Sequence, residues 1–350
     1  MKNFKKLLAI LMMLTVLTTI AVGCGQKEDK VVLNVYNWGE YMDTSILEDF
    51  EKEYGIKVNY ENYDTNENMY TKLKSGGTAY DICIPSDYMI EKMLKEDMLE
   101  KIDFNNIANY KYIDNKFKNL SFDPKNEYSV PYMWGTFGII YNSKTVKENV
   151  DSWDILWDKK YEGEILMFNS LRDTISISLK RLGYSMNSIN SDEIEKAKQE
   201  LIKQKPLVRA YVVDQVKDMM LQEEAAMAVV WTGDAMVLMS ENPDLKYVVP
   251  KEGSNIWFDN IVIPKGSKHK KEAELFIDFL TRPDISKKNV EYIGYSTPNT
   301  ETYKMLDEDI RNNKSAYPDD EVLKKCEVFV DLGDNLRKYD EAWTEIKLAK

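Results

Sequence analysis

The stretch VVLNVYNWGEYMDTSILEDFEKEYGIKVNYENY, Val31 to Tyr63, carries two periodicities in succession. Its first eight residues alternate and are rich in β-branched side chains, which predicts a strand. Ile46, Leu47 and Phe50 then recur at helical spacing, with a Thr or Ser cap and Gly55 as the stop. Ile56 to Tyr63 returns to alternation and predicts a second strand. Beyond it, NENMYTKLKSGG predicts a helix with an asparagine cap and a glycine end. YDICIPS, Tyr80 to Ser86, predicts a third strand, nearly all apolar as a parallel strand covered on both faces should be. This βαβαβ order implies a parallel sheet with right-handed crossovers. Ligands of such sheets bind outside the carboxyl ends of the strands, where Trp38 to Tyr41 and Pro85 to Tyr88 are expected to lie.

A second αβ region follows. YEGEILMFNS and AMAVVW read as strands, the latter running into TGDAM, and SDEIEKAKQELIKQK reads as an amphipathic helix capped by Ser191. TISISLKRLG alternates strictly, yet Asp173 or Thr174 can cap it and Gly183 can end it, so a helix is expected. HKKEAELFIDFLTRP predicts a helix that stops before Pro283, and Asp319 to Lys350 is expected to be largely helical. No sequence repeat stands out.

The start of the chain reads as an export address. Lys2, Lys5 and Lys6 precede an apolar run from Leu7 to Val22 that is too short and too closely followed by a cleavage-like site to predict a membrane span. Residues 1–23 are therefore expected to be removed. Cys24, after Val22 and Gly23, resembles the lipidated cysteine of a bacterial lipobox, with Ala21 in place of the usual leucine; a plain signal peptide is the alternative. Residues 24–30 suit a tether between a lipid anchor and the folded chain. Loss of residues 1–23 removes three of the 47 basic residues and none of the 59 acidic ones, so the exported chain is more acidic than the −12 of the whole. That balance argues against nucleic acid as a partner and suits cations. The remaining length suggests two domains. With Cys24 assigned to the anchor, only Cys83, in the apolar run DICIP, and Cys326 remain, and no disulfide framework is expected.

Metal and nucleophile chemistry lack the residues they need. The single histidine, His269, lies in a basic loop or helix start, and no Cys/His cluster, P-loop or G-x-G-x-x-G pattern is present. What recurs is a tryptophan or tyrosine within a few residues of a carboxylate at the end of an apolar strand. NWGEY supplies Trp38, Glu40 and Tyr41; VVWTGDAM supplies Trp231 and Asp234; NIWFDN supplies Trp257 and Asp259. Ring faces attract ammonium groups and cover methylene chains, contributing about 0.5–2 kcal/mol per cation contact. Carboxylates accept strong hydrogen bonds from amines, and a buried one needs an arriving cation to neutralise it. The combination suits an elongated organic cation.

With these residues in view, the chain resembles the spermidine/putrescine-binding proteins of bacterial ABC uptake systems. The resemblance rests on VYNWGEY, YDTNENMYTKLKSGGTAYDICIPSDYMIEKM, PYMWGTFGIIYN, SWDILW with YEGEILM, LKRLGYS, VVPKEGSNIWFDNIVIP and IGYSTPN, in order along nearly the whole exported chain. It implies an α/β fold of two domains joined by crossing strands, a periplasmic-binding-protein-like clamshell that closes on one polyamine. The implied division is residues 31–136 plus 259–304 against 137–258 plus 305–350. By the same resemblance Trp38 and Tyr41 flank the ligand and Glu40 lies near an amine end. Ser86, Tyr88, Asp173, Trp231, Trp257, Asp259 and Tyr295 fall on the family's other pocket positions. Ser170 and Phe329 replace polar residues common in spermidine binders, and Asp234 is an acid found in putrescine-preferring relatives. Gly39 stands where some relatives carry a hydroxyl. No cofactor and no metal is implied; the implied partners are a polyamine, a permease with its ATPase, and a membrane reached through the lipid, on the extracytoplasmic face or in the periplasm. Two other readings compete: a binding protein for a sugar or amino acid derivative, and a secreted glycoside hydrolase using two of Glu40, Asp173, Asp234 and Asp259.

Overall fold

A computed structural model of the chain describes residues 31–76 and 79–349. The expected export segment, tether and Cys24 lie outside the described residues. In chain order the first strands and helices are β1 (Val32–Trp38), α1 (Ser45–Tyr54), β2 (Lys57–Tyr63), α2 (Asn66–Ser75), β3 (Ile82–Cys83), α3 (Asp87–Lys95) and β4 (Ser129–Asn142). There follow β5 (Ile165–Phe168), α4 (Leu171–Arg181), α5 (Ser191–Gln204), β6 (Val208–Val212), α6 (Val216–Leu221), β7 (Met227–Trp231), α7 (Thr232–Glu241) and β8 (Leu245–Val248). β9 (Ile256–Val262) precedes α8 (Lys270–Thr281), α9 (Pro283–Ile293), α10 (Thr300–Met305), α11 (Glu308–Arg311), α12 (Asp320–Leu323) and α13 (Leu336–Leu348).

The strands join in the order β2-β1-β3-β9-β4-β7-β5-β6, with β8 also on β4. Two βαβαβ units emerge that share one plan. β1 lies parallel between β2 and β3, and β5 lies parallel between β6 and β7. Each unit then meets an antiparallel strand, β9 beside β3 and β4 beside β7. β4 links them: Ser129 to Thr136 pair with β9, and Phe137 to Asn142 pair with β7 and β8. The result is α/β, with a crevice at each reversal of strand order.

Local chemistry explains where the elements stop. β3 is shorter than the apolar run predicts because Pro85 has no N–H and the Ile84 carbonyl accepts from side chains instead, Trp38 Nε1 at 2.9 Å and Tyr63 Oη at 2.7 Å. α2 is capped by Thr65, whose hydroxyl accepts from Asn68 N, and not by an asparagine. α5 is capped by Asn190, with Ser191 as its first helical residue. α4 is a helix despite its strict alternation because it is buried on nearly every side, so no amphipathic period is required. Its hydroxyls are satisfied by carbonyls: Thr174 on Phe168 O, Ser176 on Asp173 O and Ser178 on Ala197 O. Pro283 both follows the end of α8 and opens α9, where its missing N–H costs nothing.

The C-terminal part departs most from expectation. Between α12 and the 3-10 turn Gly333–Asn335 that leads into α13, the chain from Glu327 to Asp331 is extended, not helical, and Glu327 pairs by backbone bonds with Ser254 and Ile256. Leu306, Ile310 and Tyr317 still pack with Ile261, Phe276 and Tyr295 of the first half. Leu332, Tyr339 and Trp343 pack with Ile175 and Leu179 of α4. The chain thus stays with the first half beyond residue 304 and has joined the second by Leu332. Among the described residues no helix is long and apolar enough to cross a membrane.

Candidate functional site

The carboxyl ends of six parallel strands converge on one cleft of about 910 Å³, its mouth included. β1 delivers Trp38, Gly39, Glu40 and Tyr41; β2 delivers Tyr63, Asp64 and Glu67; β3 delivers Ser86, Asp87 and Tyr88. From the other half β5 delivers Ser170 and Asp173, β6 delivers Val213 and Asp214, and β7 delivers Trp231 and Asp234. β9 adds Trp257 and Asp259, the turn after α9 adds Tyr295, and the extended C-terminal segment adds Phe329. All eleven residues singled out by sequence line this one space. A pleated strand points successive side chains to opposite faces, so Trp257 and Asp259, two apart on β9, share a face.

Aromatic rings form the walls. Trp38 packs on Tyr63 with centroids 4.6 Å apart, and Trp231 stacks on Phe168 at 4.2 Å. Tyr295 meets Trp257 at 5.4 Å and Tyr41 at 5.0 Å, both edge to face. Tyr295 reaches this place because Gly233 has no side chain: a Cβ there would stand 2.3 Å from the tyrosine ring. Tyr88 meets Phe329 at 6.0 Å and hydrogen-bonds Glu67 through its hydroxyl at 3.1 Å.

Carboxylates are spaced between the walls. Asp259 is buried beside Ser86, which faces it across an antiparallel bridge. Its Oδ1 has no hydrogen-bond partner among the described residues, and neither have Tyr41 Oη and Trp257 Nε1. The first two can accept from an ammonium; Trp257 Nε1, a donor only, cannot. Burial pushes the Asp259 carboxyl up to about 7, with the nearby Ser86 and Tyr41 hydroxyls holding it back and Asp173 adding to the rise. Asp173 accepts from Ser170 Oγ at 2.5 Å and is raised to about 6, again by burial first. Asp234 and Asp214 are both raised by burial and drawn back by Lys217. Ser170 and Ser86 occupy helix N-cap positions without making a capping hydrogen bond.

One sequence expectation is refined. Glu40, with its backbone in the left-handed region at φ 48°, turns its carboxylate onto Lys217 of the chain itself. Asp87, which also lines the cleft, is committed to structure: its carboxylate accepts from Tyr88 N at 2.7 Å and Phe258 N at 3.0 Å, tying α3 to β9. Sequence reading passed over Asp64, Glu67 and Asp214. Asp64 follows Tyr63 at the end of β2, and Asp214 lies two residues past β6 and three past Tyr211, so the rule that found Glu40 and Asp234, an aromatic within a few residues of an acid at a strand end, applies to them too. His269 sits at the start of α8 and does not line the cleft.

Aromatic walls with buried carboxylates between them suit an organic cation, the rings being able to cover hydrocarbon and the acids to meet charge. Residues 45–317 match the model of the bacterial extracellular solute-binding protein family. The spermidine/putrescine-binding periplasmic protein of Salmonella typhimurium is 39% identical over 333 residues, covering 95% of this chain and 96% of that one. A putrescine-binding periplasmic protein of Pseudomonas aeruginosa is 32% identical and aligned over 100% of both chains. Among solved structures, a spermidine/putrescine ABC transporter protein of Listeria monocytogenes superposes with a TM-score of 0.89 at 43% identity, over 91% of this chain and 99% of that one. With its paired α/β units closed on a single cleft, the chain belongs to the bacterial extracellular solute-binding proteins.

Proposed function

We propose that the protein captures a polyamine, spermidine or putrescine, outside the cytoplasm and hands it to an ABC permease. The observation that carries this reading is Asp259: a buried carboxylate, one oxygen unpartnered, set among the rings of Trp257, Tyr41 and Tyr295. Leaving such a group dry and unneutralised costs several kcal/mol in order of magnitude, and an ammonium removes that cost. A neutral sugar could hydrogen-bond the oxygen through a hydroxyl but would leave its charge unneutralised.

Trp38, Tyr41, Trp231, Trp257 and Tyr295 serve as walls in this reading. Asp173 and Asp259 serve as amine acceptors, Ser86 and Tyr88 as polar neighbours, and Glu40 and Asp234 as the anions of the far end. The two halves act as lobes that separate by bending of β4 and β9, with a third crossing between Tyr317 and Leu332. Cys24 carries the lipid that keeps the protein at the membrane. Titration calorimetry with spermidine and putrescine tests the proposal: micromolar or tighter binding that weakens with added salt is expected, and no heat from either amine overturns it.

A further inference from the structure

One end of the cleft already holds a cation, and it belongs to the chain. Lys217, on α6, places its ammonium against Glu40 Oε2 and 3.1 Å from Asp234 Oδ1. Lys217 and Asp234 are nearly covered, at 17% and 12% exposure, while Glu40 comes from the opposite half of the molecule. Burial alone would lower the lysine pKa, but Asp234 and Glu40 outweigh it and keep the ammonium charged.

The same segment makes a second approach to the same turn. A Cβ on Gly39 would stand 2.4 Å from Asp214 Oδ2, so the Asp214 carboxylate fills the space that a side chain at position 39 would take. A side chain at position 39 would force the Asp214 carboxylate to turn aside. At the opposite end Asp173 is met by the neutral Ser170 hydroxyl, and Asp259 Oδ1 has no hydrogen-bond partner among the described residues. Asp173 and Asp259 therefore await cations, whereas Glu40 and Asp234 share one that is resident.

We propose that Lys217 sets the class of ligand: its ammonium takes the place of one amine of a longer polyamine, so that the cleft holds a diamine more tightly than a triamine. This rests on the polyamine reading. A third ligand ammonium reaching Asp234 would stand beside the largely covered lysine, where salt screens less than at the exposed Glu40, while a diamine held at Asp173 and Asp259 avoids it.

Calorimetry with putrescine and spermidine on the full exported chain, at one pH and one salt concentration, tests the inference. The parent is expected to prefer putrescine. Lys217→Met, which keeps length and removes charge, is expected to shift the affinity ratio about tenfold toward spermidine, the effect of one nearby charge. Lys217→Arg is expected to keep the parent ratio. If thermal unfolding shows that Lys217→Met does not fold, Lys217→Gln makes the same change and the same shift is expected. A parent that prefers spermidine, or a ratio unmoved in the neutral variant, overturns the inference and leaves the polyamine reading standing. A parent that binds neither amine overturns both.

Discussion

The two ends of the cleft use the same side chains and settle their charges in opposite ways. At the Asp173 end the carboxylate meets a neutral hydroxyl, and burial raises it to about 6. A cation is near there too, but Arg172 is turned behind the wall: its guanidinium lies 4.5 Å from the Phe329 ring and 5.2 Å from that of Tyr88, and it donates to Val330 O and Asn187 Oδ1. At the Glu40 end Lys217 points inward and satisfies two acids at once. A carboxylate in a binding cleft is thus available or occupied according to where the nearest cation is aimed, and counting acids does not distinguish the two.

The comparison can be broken from the middle outward. Asp259→Asn removes the negative charge at the middle of the cleft and is expected to weaken amine binding about a hundredfold by calorimetry, the worth of a buried charge-assisted hydrogen bond. Acid should act on the same group. With Asp259 at about 7 in the empty protein, lowering pH from 8 to 5.5 is expected to cost about thirtyfold in affinity, because the ligand must displace a proton. The empty protein should respond in the opposite sense. A carboxyl raised by folding binds its proton more tightly in the native state, so its contribution to stability is full below the unfolded value near 4 and is lost as pH rises through about 7. Thermal unfolding of the ligand-free protein should therefore show Asp259→Asn gaining on the parent as pH rises from 5 to 8.

At the ends the expected effects diverge. Asp173→Asn removes an acid with no cation of its own and should weaken binding about tenfold by calorimetry. Asp234→Asn removes an acid already paired with Lys217 and should weaken putrescine binding about threefold or less. Equal losses at the two ends, measured under one condition, would erase the distinction between them.

Much of the site was legible because its signals are local. A strand that ends in an aromatic and an acid states its own periodicity, and parallel strands place their ligand residues at the carboxyl ends; Trp38, Glu40, Tyr41, Trp231 and Asp234 follow from those two facts, whereas Trp257 and Asp259, expected at a strand end, lie within antiparallel β9 and reach the cleft from its face. Helix detail was less legible. The cap of α2 shifted from asparagine to Thr65, and the alternation in α4 misleads because a helix buried on nearly every side has no polar face to reveal its period. The extended run that carries Phe329 was hidden for a related reason: its backbone partners, Ser254 and Ile256, lie about seventy residues away.

The sequence by itself determined the first βαβαβ unit, the family resemblance and the residue types of an amine site, because these depend on near-neighbour patterns of polarity. Only the tertiary structure decided that Asp214 rests over Gly39 and that Lys217 claims Glu40 and Asp234. The contacts of Asp214 with Gly39 and of Lys217 with Glu40 join residues 175 and 177 positions apart, and Coulomb interactions fall off with distance in space, not with distance along the chain.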